Sequence, residues 1–462
     1  MFQSPYQQNL PTQFDVAYPS HPWAGISTNQ RTYLDPVLRD FWRQRTIFGD
    51  FVTYAQNLGD VNARQMVITT LFDVHPNFNP IGLRDMWMPA AHVDTQSQTI
   101  TFVRYGGKVA YDAYTPIITY WKRNPQSLNV IASIVQDKLG QHMVDVMDML
   151  ARNAMLQTNF KYYPNGKSNF GQLNSADTVT TQMLNDIHLG MKYRGVPYAD
   201  TGNGSVGNIV CITSPGVLYD LQQQTDPKDW LYPMAYARPG TLLNYEVGTY
   251  RNIRFVETPK CVLYNCGSII TQAEVTAPIQ AGDGAPGDNT LVDGTYNVGQ
   301  PGATNYIQLA ASTNMSNFQV GDIVTIHRQR TNAFGVTNGV DFRDGTVHNR
   351  RIVSVDATNK RLTFDQPIML EFTTNLGGGV YAYATKGVHV NAMIFVGGPN
   401  GVIAGIGRPP RLHTPPPVDD FDMIYRFSWD AYMGYNQFDP RVIEVAFVNA
   451  SFRYSGPVQI QG

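Results

Sequence analysis

The sequence predicts an α+β protein in which a β-rich module interrupts a sheet. Apolar residues recur at three- and four-residue steps over about thirty residues from 127 to 157, which is typical of one long amphipathic helix. Helix-like and strand-like runs alternate between residues 180 and 257, which indicates a small layer of helices on a sheet. After Gly267 the helical periodicity ends, and short alternating strands between Gly- and Pro-rich turns indicate a barrel or sandwich.

Before the long helix, the sequence predicts an arm and an extended hairpin. The polar, proline-spaced residues 1–27 suit either an arm that orders against a partner or plain disorder. A short helix is expected within residues 33–59. Residues 84–122 contain three strand-like runs, with turns predicted at "DTQSQ" and at Gly106-Gly107. A hairpin with little local core is only marginally stable, so we expect it to lie on a neighbouring subunit.

The long helix is expected to begin near Ser127 and to end near Gln157, before a turn at Pro164-Asn165-Gly166. At 1.5 Å per residue it would be a rod of about 45 Å, which suits a structural spine. His142 lies on or beside the apolar stripe and is interpreted as a packed or rim histidine rather than a ligand. The stripe consists of Ile131, Val135, Leu139, Met143, Val146, Leu150 and Ala154.

A helix over residues 180–193 and a buried strand over 208–213 follow. Ser214 is predicted to be the N-cap of the next helix, with Pro215 at its first position. Residues 251–257 form another strand, and an apolar strand returns at "VHVNAMIFVGG". We expect these strands to share one sheet.

The module between them, residues 271–385, is predicted to be self-contained, with its two ends close together, because insertions succeed at exposed tips. Its expected strands are residues 306–310, 323–327, 351–355 and 361–364. Beyond it, the proline-rich residues 408–420 are predicted to be a stiff linker. A strand, a turn and a strand beside the spine helix are expected to close the fold.

Composition excludes some classes of function. Charged residues are 15% of the chain, against about 25% in ordinary soluble domains. Lys+Arg 34 against Asp+Glu 36 gives a net charge of −2, which argues against an electrostatic nucleic-acid binder. With 26 Tyr and 22 Phe, the low charge favours a surface covered by other protein; a β-rich secreted domain is the alternative. Three cysteines cannot form a disulfide framework, and no apolar run approaches the length of a membrane span.

No motif predicts chemistry, so we expect no enzyme and no catalytic, cofactor-binding or metal-binding residues. "GNGSVG" at residues 202–207 has the spacing of a dinucleotide loop, but no strand precedes it. "CVLYNC" lacks the spacing of zinc knuckles, and the histidines are scattered singly. A small basic edge at residues 349–351, with Arg328 and Arg330, is interpreted as solvated strand ends.

Four segments carry a resemblance to a known family. "CITSPGVLYDLQ" resembles the strand–proline–helix signature of the N-four-type major capsid proteins, and "GTYRNIRFVETP" resembles a strand of that family. "VHVNAMIFVGGPNGV" and "YRFSWDAYMGYNQF" are similar to its two closing segments. Their order resembles the tailed-phage capsid fold named after phage Hong Kong 97, and the matching segments run from about Tyr33 to Phe452.

This resemblance implies an arm, an extended loop, a peripheral domain with the spine helix, and an axial domain, into which the all-β barrel-like module is inserted. The expected division is an arm and short helix at 1–60, an extended loop at 61–124, the peripheral domain at 125–179 and 421–462, the axial domain at 180–270 and 386–420, and the insert at 271–385.

The resemblance also implies that the chain forms hexamers and pentamers of an icosahedral shell. The shell would enclose double-stranded DNA and contact it non-specifically. The protein would assemble in the host cytoplasm and end up in the virion. A portal protein at one vertex is expected, together with a decoration protein as an optional partner. A separate scaffolding protein is expected because no long charged helix begins the chain. No membrane partner is expected. An encapsulin-type nanocompartment shell and a β-rich adhesin or glycan-binding virion protein are the alternatives.

Overall fold

The computed structural model describes residues 47–54, 64–71, 95–112, 127–197, 209–225, 230, 245–279, 306–328, 339–343, 347–365, 368, 372, 374–398, 401–414 and 424–451. The predicted arm at 1–27, the strand-like run at 86–93, the "GNGSVG" segment and the end of the proline-rich segment therefore lie outside the described residues.

Helix α1, Ser127–Met155, is the predicted spine, and its 29 residues form one element. Leu139, Met143 and Met147 are buried, and they pack with Val144 against four side chains of one long strand: Phe427, Trp429, Ala431 and Met433. The predicted position of the closing strand beside the spine helix is confirmed.

A four-stranded sheet, here called the spine sheet, supports α1. Its strands, in spatial order, are β1 (Val52–Tyr54), β17 (Val402–His413), β18 (Ile424–Gln437) and β4 (Val103–Asp112). Strand β1 runs parallel to β17, and the other neighbours are antiparallel.

The turn predicted at Gly106-Gly107 is wrong, because both glycines lie inside β4 opposite Asp430 and Trp429. They allow close packing: a Cβ on Gly106 would lie 2.7 Å from the Trp429 carbonyl oxygen, and one on Gly107 2.7 Å from His142 Nδ1. The missing Cβ thus allows close approach of the β18 backbone at Gly106 and of the spine helix at Gly107.

The linker prediction is also wrong over residues 408–413, which belong to β17. Proline lacks the N–H that a central strand must donate, so it is tolerated at sheet edges and bulges. Both conditions hold here: β1 pairs only with Val402–Ala404, and the register with β18 shifts between Arg408 and Arg411.

A separate two-stranded ribbon pairs β2 (Gln65–Leu71) with β3 (Thr95–Thr101). The prediction of a turn at "DTQSQ" is thus wrong from Thr95 onward, because these residues belong to β3. Strands β3 and β4 lie in different sheets and do not form a hairpin with each other. Ile100 and Phe102 pack on Ile403 of β17. This part of the predicted hairpin packs on its own chain.

The central sheet has seven strands. Six follow the order β5 (Lys161–Tyr162), β19 (Ile443–Val448), β16 (Val390–Val396), β6 (Ile209–Thr213), β8 (Ile253–Glu257) and β7 (Glu246–Tyr250), and β9 (Val262–Leu263) also pairs with β16. The prediction that strands before and after the inserted module share a sheet is confirmed, because Val262 pairs with Asn391.

Two helices contribute to a core cluster with the central sheet: α2 (Thr181–Tyr193) and α3 (Pro215–Gln224). Thr180 caps α2 by accepting from the Met183 N–H. Ser214 precedes α3 as predicted, but it makes no cap; its hydroxyl donates to Asn391 Oδ1 at 2.7 Å instead. The predicted strand at 251–257 begins later, because Arg251 and Asn252 have φ of 49° and 64° in the turn before β8.

The insert sheet has six strands in the order β10 (Ile269–Val275), β15 (Ala382–Gly387), β12 (Ile323–His327), β13 (His348–Asp356), β14 (Arg361–Phe364) and β11 (Tyr306–Gln308). A bridge between Val275 and Leu309 joins its two ends, so the sheet closes on itself. Thr271 lies opposite Lys386, and this confirms that the ends of the insert are close together.

The insert also shares a core with the rest of the chain. Val340, Phe342 and Val347 lie in the same apolar cluster as the end of α1 and one face of the central sheet. The Phe342 ring centroid is 6.2 Å from that of Phe170. The insert thus has an apolar core of its own and also contributes three side chains to the core of the central sheet.

Candidate functional site

The most strongly constrained polar site lies where α1 meets the start of the described chain. Asp148 is fully buried on α1, and its Oδ1 accepts the backbone N–H groups of Ile47, Phe48 and Gly49 at 3.0, 2.9 and 3.3 Å. These N–H groups begin the short 3-10 turn Phe48–Phe51, which has no side-chain cap of its own. Asp148 therefore satisfies donors that a helix start leaves unpaired.

Lys260 balances this buried carboxylate. Its Nζ donates to Asp148 Oδ2 and to Asp145 Oδ1, both at 2.9 Å. Lys260 lies in the short turn between β8 and β9 and is only 8% exposed. Burial opposes its charge, but the Asp148 and Asp145 carboxylates outweigh burial and raise the pKa of Lys260.

Arg152, one turn further along α1, adds a second link to the same turn. Its guanidinium donates to the Lys260 carbonyl at 2.7 Å and to Asn153 Oδ1 at 2.9 Å. Burial lowers the pKa of Arg152 to about 10, which leaves it charged at neutral pH. We call Asp145, Asp148, Arg152 and Lys260 the anchor.

The chemistry of the anchor suits a structural link between parts of the chain and not catalysis. A lysine whose pKa is raised stays protonated and is a poor nucleophile or base. Asp148 accepts from four donors of its own chain and has no exposed surface, so its carboxylate is not presented to a substrate. The anchor joins three parts of the chain: the segment at residues 47–49, the spine helix and the central sheet.

A second buried polar cluster holds the insert to the central sheet. Asn265 has no exposed surface and adopts φ of 55°, a conformation that asparagine tolerates. Its side-chain nitrogen donates to the Ile323 carbonyl and to Thr325 Oγ1 at 3.0 and 2.8 Å, and its Oδ1 accepts from the Gly387 N–H at 3.0 Å. The Asn265 side chain therefore joins the segment before the insert to the inner strand β12 and to the end of β15.

The basic edge predicted to be solvated belongs in part to this cluster. Asn349 and Arg350 are buried, with 4% exposure each, and Asn349 Oδ1 accepts from the Thr325 hydroxyl. That part of the prediction is wrong: successive side chains of a strand point to opposite faces, and both faces of β13 are covered at these two residues.

His142 and the three cysteines occupy structural positions. His142 accepts from Trp429 Nε1 at 3.2 Å at the rim of the spine sheet, as predicted. Cys211, Cys261 and Cys266 are buried and free, and burial raises the pKa of the Cys261 and Cys266 thiols to about 12. Thiols with so high a pKa are unreactive.

Within the described part of the chain, no group of three or more His, Cys, Asp or Glu side chains is arranged to hold a metal ion. None of the helices described is long and apolar enough to cross a membrane.

Sequence reasoning missed the anchor. Asp145, Asp148 and Arg152 lie on the helix that the apolar stripe predicted, but their partners are about 100 residues away on either side. The available signal was the presence of charged residues at positions that the helical period places near the apolar stripe.

Comparison with known proteins gave matches to structures only. No protein-family model matches the chain, and no curated protein matches it. The chain is similar to the capsid of Ralstonia phage GP4, with 10% identity and a TM-score of 0.46 over 88% of this chain and 89% of that chain. It is similar to the capsid of cyanophage Pam1, with 10% identity and a TM-score of 0.44 over 94% and 97% of the two chains. It is also similar to a virus-like particle from Pyrococcus furiosus, with 9% identity and a TM-score of 0.37 over 90% and 98%.

Proposed function

We propose that this chain is the major capsid protein of a tailed bacteriophage, which assembles as hexamers and pentamers into an icosahedral shell around double-stranded DNA. The observation that carries the proposal is the spine helix clamped between two sheets by the anchor. The four segments that resemble the capsid family fold as β6 with α3, β7 with β8, β16, and β18.

The arrangement supports a shell subunit and not an enzyme. The anchor is fully engaged in contacts within the chain, and the longest elements among the described residues are a 29-residue helix and strands of 12 and 14 residues. A low charge and many aromatic residues suit a chain whose surface is largely covered by copies of itself.

We assign the regions as the resemblance implies. Residues 1–60 form the arm, 61–124 the extended loop, 125–179 and 421–462 the peripheral domain, and 180–270 with 386–420 the axial domain. Residues 271–385 form an inserted barrel, which projects outward because the lumen must hold DNA at high density.

The partners of this assignment are a separate scaffolding protein during assembly in the host cytoplasm, a portal protein at one vertex, and packaged DNA held without sequence preference. A decoration protein is an optional partner on the outside of the virion.

Expression with the neighbouring genes of its genome, followed by sedimentation and nuclease treatment, tests this function. We expect fast-sedimenting particles that require a scaffolding gene for uniform size and that protect DNA when the packaging genes are present. Particles that instead enclose a cargo enzyme would identify a nanocompartment. A chain that stays monomeric and binds glycans would identify an adhesin.

A further inference from the structure

One face of the spine sheet carries an unbalanced positive charge. Phe427, Trp429, Ala431 and Met433 of β18 pack against α1, so Asp430 and Tyr432 point to the opposite face. Residues opposite each other in adjacent antiparallel strands share a face. Arg411 is opposite Asp430, and Arg408 and Arg104 are both opposite Tyr432. With His413, these residues form the cationic face: Arg104, Arg408, Arg411, His413 and Asp430.

Asp430 fixes the geometry of this face. Its Oδ2 accepts from Arg104 Nε at 3.0 Å and lies 3.6 Å from Arg408, while Oδ1 is bonded to His413 Nε2. The Asp430 side chain is 7% exposed, whereas that of Arg104 is 73% exposed and that of Arg408 44%. The carboxylate is therefore inside the cluster, and the guanidinium groups are presented outward.

Three arginines against one aspartate leave this face with a charge of about +2 before His413 is counted. Arg411 is exposed and makes no ion pair within the described residues. A face of this kind needs an acidic occupant.

A second copy of this chain fits the face better than a nucleic acid does. Without these three arginines and Asp430, the chain has 31 basic and 35 acidic residues, so the rest of the chain carries a net negative charge. The face also continues into apolar packing of Phe102 against Tyr432, with ring centroids 5.6 Å apart. Arginine and tyrosine beside apolar surface are typical of contacts between proteins.

We infer that the cationic face is a contact between copies, at which Arg104, Arg408 and Arg411 bind an acidic surface of a second copy of this chain. The inference rests on the proposed shell function and names a surface that the shell uses. Asp430 holds Arg104 and Arg408 in place, so these two side chains are pre-organised and lose little entropy on binding.

The test compares particle yield of the full chain with that of Arg411→Glu, with Arg411→Lys as the conservative variant. Lys138→Glu is the matched control, because it makes the same change of charge at an exposed position of α1, on the other side of the spine sheet. We expect Arg411→Glu to lower particle yield about tenfold or more, and Arg411→Lys and Lys138→Glu to assemble like the natural chain.

Salt provides a readout that a folding defect would not show. In about 1 M NaCl the screening length falls to about 3 Å, so the difference between the natural chain and Arg411→Glu should shrink. Arg411→Gln, which adds no carboxylate beside Asp430, serves if Arg411→Glu does not fold.

Each outcome is decisive. If the natural chain assembles and Arg411→Glu assembles equally well, the inference is wrong and the proposed function stands. If Arg411→Glu assembles normally but loses binding to a DNA duplex that the natural chain retains, the occupant is nucleic acid and the inference is again wrong. If the natural chain forms no particles, both fail.

Discussion

At the scale of the residue, burial determines how much each charged group of the anchor contributes. Asp148 and Asp145 contact the same Lys260 Nζ at 2.9 Å, but the Asp148 side chain has no exposed surface and that of Asp145 is 46% exposed. Removing Asp148 would leave three buried backbone N–H groups unpaired and would leave the buried Lys260 ammonium with the half-exposed Asp145 as its remaining carboxylate, whereas water can replace Asp145.

We therefore expect Asp148→Ala to lower the free energy of unfolding by about 3 to 5 kcal/mol and Asp145→Ala by about 1 kcal/mol or less. Chemical denaturation of the two variants, under conditions that keep the chain unassembled, measures both values. Equal effects of the two substitutions would contradict the role assigned to Asp148.

The buried thiols give a prediction for pH. Burial raises the pKa of Cys261 and Cys266 to about 12 in the folded chain, above the ordinary value of 9.0. The unfolded chain loses these protons first, so the stability they contribute is full below about pH 9 and is lost as pH rises toward 12. We expect a thiol reagent at pH 8 to modify these cysteines only when denaturant unfolds the chain, and rapid labelling of the folded chain would contradict their burial.

At the scale of the element, the spine helix could be predicted from sequence to within two residues at its C-terminal end, because its apolar period persists for seven turns. The strand ends and turns could not. Gly106, Gly107 and the prolines of β17 have local preferences for turns, and a neighbouring layer or a free strand edge overrides those preferences.

The spine helix should not tolerate proline at Leu139, which is 1% exposed. Proline there removes a helical hydrogen bond and clashes with the preceding turn, at a cost of about 3 kcal/mol or more in addition to the lost packing. We expect Leu139→Pro to yield no soluble particles, and Leu139→Met, which conserves volume, to assemble normally. Natural particle yield from the proline variant would exclude a continuous helix.

Alanine substitution should destabilise the chain at Gly434 of β18 but not at Gly190 of α2. A Cβ on Gly434 would lie 2.3 Å from the Thr101 carbonyl oxygen, whereas nothing lies within 4 Å of one on Gly190. We expect Gly434→Ala to lower stability by about 1 to 3 kcal/mol by displacing β3. Gly190→Ala, inside a helix, should raise it by up to about 1 kcal/mol, as judged by thermal unfolding. A Gly190→Ala variant that is less stable than the natural chain would contradict the space for a Cβ at Gly190.

At the scale of the whole molecule, the sequence located the insert from its change of composition but could not show that it shares a core with the central sheet. Val340, Phe342 and Val347 sit between its strands in the chain, and only the folded arrangement brings them to Phe170. The anchor was hidden for the same reason, since its partners are distant in sequence.

Two phenylalanines of the insert test whether it has two distinct apolar cores, one shared with the central sheet and one of its own. Phe342 belongs to the shared core, and Phe372 belongs to the core of the insert sheet. We expect Phe342→Ala to destabilise by about 3 to 5 kcal/mol and to speed hydrogen exchange in β6 and β16. Phe372→Ala should speed exchange within the insert alone. The same exchange pattern in both variants would contradict the division between the two cores.

The proposal that this chain builds a closed shell is best tested by negative-stain electron microscopy of the expressed protein, alone and with its gene neighbours. We expect isometric particles of uniform size, with Asp148→Ala preventing their formation and Asp145→Ala leaving it unchanged. If the natural chain, with its fold intact, forms only monomers or small oligomers under every condition, it is not a shell protein.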